Sequence, residues 1–141
     1  MTTHTRVLAA LTAGVLTLGL AACGGDEGTA RSSIESADAA QDALVEAGVD
    51  CQGWRTYNEN KSGRCHMEGH TQSFLMSENP ELLAALRFDD DQDVLEVIVG
   101  ENWTMTCELI PLFACRDMAD ALNGEVLRRG EHGPEVVPDE E

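Results

Sequence analysis

The chain predicts an α+β domain of two layers: a four-stranded, mainly antiparallel sheet with helices on one face, in the order α-β-β-α-β-β-α. Three observations carry this. Apolar residues recur at helical spacing at Ile34, Ala37, Leu44 and Val45, and again at Leu112, Cys115, Ala119 and Leu122. Two short segments flank Glu68-Gly69-His70 as the arms of a hairpin would. The run Val94–Val99 is rich in β-branched residues, and a second strand-like segment starts four residues later.

The elements follow in order. Ser32 with Glu35 three residues on has capping-box spacing, and Gly48 stops the helix it would open. The stretch 52–63, QGWRTYNENKSG, has few strand formers and reads as a loop with a short extended piece at Trp54–Tyr57. Arg64–Met67 and Thr71–Met76 form the hairpin. Ser77 or Asn79 can cap the next helix, Glu81 to Arg87, with Pro80 in its first turn. Asp89 to Asp93 turns the chain into the strand Val94–Val99. Gly100-Glu101-Asn102 then turns it into Trp103–Cys107, where Trp103, Met105 and Cys107 share one face by period two. Pro111 to Asn123 is the last helix, ended by Gly124.

Outside this core the chain changes character. Arg6 precedes an uncharged, mostly apolar segment, Val7 to Leu20. That is shorter than the ~20 residues a spanning helix needs, and has the length of a signal-peptide h-region. It ends in Leu20-Ala21-Ala22-Cys23, followed by a glycine pair. These residues resemble the lipobox of bacterial prolipoproteins. The resemblance implies a signal peptide over 1–22, cleavage before Cys23, and a diacylglyceryl group on the Cys23 thiol. Two acyl chains on one glycerol suffice for a stable membrane anchor, where one holds only marginally. The lipobox, the eight-to-one excess of arginine over lysine and the abundant alanine and glycine are similar to those of actinobacterial lipoproteins. The strand–strand–helix pattern also resembles small secreted members of that group with no assigned activity. The implied location is the outer face of the cell membrane.

Residues 23–31 then read as the lipidated cysteine and a flexible tether, whose eight residues after Cys23 reach about 15–17 Å. Residues 32–128 form the single domain, and 129–141 an acidic disordered tail. From Cys23 onward there are 26 acidic and 8 basic residues, a formal charge of −18. Such a surface repels nucleic acid and anionic lipid. It attracts divalent cations, polyamines and basic proteins, and it also serves solubility.

Five cysteines is an odd number. With Cys23 set aside, Cys51, Cys65, Cys107 and Cys115 remain, and in an oxidising compartment they suggest two disulfides. Three pairings are open. Closeness in sequence favours Cys51–Cys65 and Cys107–Cys115. A four-thiolate zinc site is the rival, but no C-x-x-C occurs.

Candidate chemistry is sparse. Cys65-His66-Met67-Glu68-Gly69-His70 gathers ligand types suited to copper or zinc, yet strand alternation turns His66 and Met67 to opposite faces. Asp89, Asp91 and Asp93 imitate the first half of an EF-hand loop, and the pattern then fails at Val94 and Gly100. Against these metal readings of His66, His70 and the aspartate turn stand ordinary exposed histidines and a solvated acidic turn. Trp54 and Tyr57, beside Arg55, are candidates for contact with a ligand or partner, or for packing over the core edge. The motifs G-x-S-x-G, H-E-x-x-H, the P-loop and G-x-G-x-x-G do not occur. No cofactor and no catalytic residue is expected. The leading expectation is a non-catalytic interaction module with a protein or envelope partner. A metal-binding lipoprotein comes second and a cell-wall hydrolase third.

Overall fold

The computed structural model describes residues 31–138. Cys23 and the rest of the lipobox, the leader, most of the tether and the last three residues lie outside them.

Ten elements follow one another: α1 (Ala37–Glu46), β1 (Gln52–Tyr57), β2 (Ser62–Met67), β3 (His70–Met76), α2 (Pro80–Asp90), β4 (Val94–Val99), β5 (Trp103–Glu108), α3 (Leu112–Leu122), β6 (Glu125–Gly130) and β7 (Gly133–Val136). The strands form one antiparallel sheet in the order β1-β2-β3-β5-β4-β6-β7. The fold is α+β, but the sheet has seven strands rather than the four expected. The additions are the peripheral strands. β1 takes in the short extended piece expected at Trp54–Tyr57 and lengthens it into a full strand, β6 follows the last expected helix, and β7 lies within the expected tail. Most residues of β1 and β7 are exposed, so no apolar alternation announced them.

The helices also divide between two faces, correcting the expectation of one. Alternation along β4 decides this. Ile98 joins Met105 and Val126 under α1 and α3, in a core with Leu44, Phe74, Trp103, Met118 and Leu122. Val97 and Val99 point the other way and pack with Leu127 against Ala84 and Phe88 of α2. The molecule is therefore helix–sheet–helix over β4, β5 and β6.

Local chemistry sets each helix. α1 is capped by Ser36, whose hydroxyl accepts from the Ala39 amide, and not by Ser32. Ala37, Ala40 and Leu44 are its buried stripe, while Val45, expected there, is 67% exposed. Gly48, at φ 77°, ends the helix: its amide reaches the Val45 carbonyl and the Val49 amide the Leu44 carbonyl, a Schellman closure. Asn79 caps α2, with Pro80 at its start. Asn123 takes the left-handed position after α3.

Arg31 and Ser32 are docked on the domain, although the tether was expected to run through Arg31. Arg31 pairs with Glu125 and Glu81. Burial lowers the Arg31 pKa, but the two carboxylates outweigh it and hold it above its ordinary value. The Ser32 carbonyl accepts from the Glu101 amide and the Trp103 indole, and its amide donates to the Asn123 carbonyl. The chain thus enters at one end of the sheet, beside the β4–β5 turn and the C-terminal end of α3. By the strand registers, the β2–β3 turn and the C-terminal end of β5 stand at the opposite end.

The cysteines pair as Cys51–Cys65 and Cys107–Cys115, with Cα separations of 5.4 and 5.6 Å. The first ties the α1–β1 loop to β2, and the second ties β5 to α3.

Candidate functional site

A wide cavity opens at the end of the sheet away from Arg31. It is a groove of about 970 Å³ between the C-terminal end of α1, the β2–β3 turn and α3. Each wall has a local cause. The β2–β3 connection is a two-residue turn with positive φ at both Glu68 and Gly69, which lifts the Glu68 side chain to the rim. On α3, Phe113, Asp117 and Asp120 recur at helical spacing, and these three are exposed while Ala114, Cys115 and Met118 face the core. Phe113 is 66% exposed, an uncommon position for a phenyl ring in a helix with an otherwise polar outer face. Asp50, Glu68, Asp117 and Asp120 put four carboxylates around it, and among the described residues no lysine or arginine lines it. An apolar contact ringed by anions suits a cationic segment carrying an apolar residue.

A second acidic group forms at the same end. Asp91, Asp93 and Glu108 bring one carboxylate oxygen each within 4.8 Å of one another. The Asp91 side chain accepts from the Asp93 amide at 2.9 Å. Arg129 braces the loop by donating to the carbonyls of Phe88, Asp91 and Val94. Burial, then the charges of Asp91 and Asp93, push the Glu108 carboxyl above its ordinary range, against the pull of His70 and Arg87. Beneath it, Gln72 is fully buried. Its amide donates to the Glu108 carbonyl at 2.9 Å and accepts from the Glu108 amide at 2.6 Å. The β3–β5 ladder pairs Phe74–Met76 with Trp103–Met105, and beyond Phe74 the Gln72 side chain supplies the partner that the β3 backbone does not.

The residues singled out from sequence are dispersed. His66 pairs across the hairpin with Thr71, at 3.2 Å from its hydroxyl, whereas His70 stands opposite Met67. The two imidazoles therefore belong to opposite sheet faces, and among the described residues neither joins a group of three potential metal ligands. Asp89 is in the last turn of α2, away from the Asp91–Asp93–Glu108 group. Trp54 packs on Gly63 and 6.4 Å from Phe74, with its indole N–H buried and unpartnered. Tyr57 is exposed beneath the Arg64 guanidinium, 5.3 Å from the ring centroid.

Phe113, Asp117, Asp120 and Glu108 were not foreseen. A phenylalanine opposite the core stripe of α3 was a readable signal. The meeting of Glu108 with Asp91 and Asp93 depends on strand register and was not. Comparison of the chain with protein-family models, curated proteins and solved structures finds no match.

Proposed function

We propose that the chain is an exported lipoprotein, anchored by Cys23 at the outer face of the cell membrane, whose domain is a non-catalytic interaction module. The observation that carries this reading is the cysteine pairing. Cys51 with Cys65 and Cys107 with Cys115 leave Cys23 no partner within the chain, as lipidation of that thiol requires. Disulfides also suit an oxidising compartment. The working surface is the groove around Phe113, and its occupant is a cationic segment of an envelope protein. The groove opens at the far end of the sheet from Arg31, where a partner approaches without meeting the bilayer.

Site-specific photo-crosslinking in native membranes tests this. A crosslinker at Phe113 should yield a discrete adduct, and one at Leu82, exposed on α2, should not. The adduct should weaken at least fivefold in Asp117→Asn/Asp120→Asn. Absence of an adduct at Phe113 contradicts the reading.

A second reading, cation binding, is favoured by the convergence of Asp91, Asp93 and Glu108. An all-oxygen set suits calcium rather than copper or zinc. Millimolar calcium should then raise the melting temperature of the chain and not that of Glu108→Gln. An unchanged melting temperature removes this reading.

A further inference from the structure

We propose that the uncovered face of β1, β2 and β3 is a binding site for a phosphate group, held between Arg55 and Arg64. Arg55 and Arg64 are direct cross-strand partners in the antiparallel β1–β2 pair, so their side chains leave the same face side by side. Like charges directly opposite one another destabilise a sheet. The chain has 26 carboxylates and only 9 lysines and arginines, yet among the described residues neither guanidinium makes a salt bridge. Two cations are thus placed together in a strongly anionic protein with no counter-ion among the described residues.

The surroundings complete a shallow site of about 340 Å³, whose other walls are Tyr57, His66, Thr71 and Gly53. Gly53 contributes no side chain, and at φ 68° it sits at the bulge where the β1–β2 register shifts. The floor is therefore open between the arginines and His66. The Tyr57 ring lies under Arg64 and holds that guanidinium by its π face, leaving the N–H edges to a ligand. The Thr71 hydroxyl engages His66 Nδ1, which leaves Nε2 as a further contact. Helix α1 lies against β1–β3 on the core side, and α2 lies over β4–β7, so this face is open to solvent.

Arginine forks match phosphate oxygens bidentately, and two adjacent forks supply the donors and charge that a phosphate dianion or a phosphodiester needs. At physiological ionic strength the screening length is about 8 Å. The pair therefore governs a bound anion more than the carboxylates spread over the rest of the surface do. Arg55 and Arg64 stand on the opposite sheet face from the α1–α3 core and neither lines the groove; His66 is common to both sites, and the proposal rests on the arginine pair rather than on the groove reading.

Melting and titration of the full chain, with inorganic phosphate and with glycerophosphoglycerol as probes, test the proposal. Either probe should raise the wild-type melting temperature and shift the Arg55 and Arg64 Nε–H signals. Arg55→Gln and Arg64→Gln should each weaken binding at least fivefold, and should raise the melting temperature without ligand because the like-charge pair is gone. Arg116→Gln, on α3, should do neither. A response to the diester alone points to a headgroup or polymer phosphodiester, and to inorganic phosphate alone to free phosphate; both support the site. No response to either probe, or equal responses in the wild type and both arginine variants, overturns it.

Discussion

At the scale of single residues, Glu108 connects the fold to pH. Its carboxyl lies at the C-terminal end of β5, where burial first and Asp91 and Asp93 second hold its pKa above the ordinary value of 4.5. Burial acts in the same direction on Glu96, and Arg128 opposes it. The folded chain therefore binds these protons more tightly than the unfolded chain. Their contribution to stability is complete below about pH 4.5 and is lost as pH rises through the elevated folded value. Calorimetry across that window should show the melting temperature falling as pH rises. Glu108→Gln should flatten the fall and melt higher at pH 7. Equal slopes for the two proteins would show that Glu108 is not the group responsible.

At the scale of elements, the β1–β2 turn caps a helix distant in sequence. Asn58, Glu59 and Asn60 take left-handed conformations, with φ of 54°, 56° and 69°. Asparagine tolerates that region and glutamate does so only at a cost, so the turn is held by what it does. The Asn60 carbonyl accepts from the Ala37 amide at 2.8 Å, and its side chain accepts from the Asp38 amide at 3.0 Å and donates to the Asp38 carboxylate. Asn60→Ala should cost about 0.5–2 kcal/mol, the range of a lost N-cap. Hydrogen exchange should accelerate at the Ala37 and Asp38 amides first. Unchanged exchange there would mean that Ser36 caps the helix unaided. The contact also shows where sequence reasoning stops. The hairpin at Gly69, the strands starting at Val94 and Trp103, the helix after Pro111 and the cysteine pairs were legible, because period, turn chemistry and spacing are local. β6 and β7 were not, and of β1 only the extended piece at Trp54–Tyr57 was. β1 is polar and bulged at Gly53, and Arg129 of β6 looks like a tail residue until it is seen bracing the Asp91 loop. Of the candidate sites, Tyr57 beside Arg55 and His66 beside Arg64 belong to separate stretches of the sequence. Only the β1–β2 register brings the two stretches together.

At the scale of the whole molecule, the ends of the sheet differ. Arg31, Ser32 and Ile34 are laced to Glu125, Trp103 and Asn102 at the entry end. The groove and the Glu108 group stand at the other. Trp103 is the joint between entry and core: its indole donates to the Ser32 carbonyl and its ring lies against Gly100 and Gly124, where a Cβ would collide with it. A tether leaving at that end would carry the groove outward from a membrane. That polarity has meaning only if residue 23 is the anchor. Intact-mass analysis of the N-terminal peptide from the membrane fraction decides it. The expected species is a chain starting at Cys23 with a diacylglyceryl group on its sulfur, and a Cys23→Ser chain is absent from that fraction. A start at Met1 with an unmodified Cys23, in chain recovered from the cytosol, would contradict it.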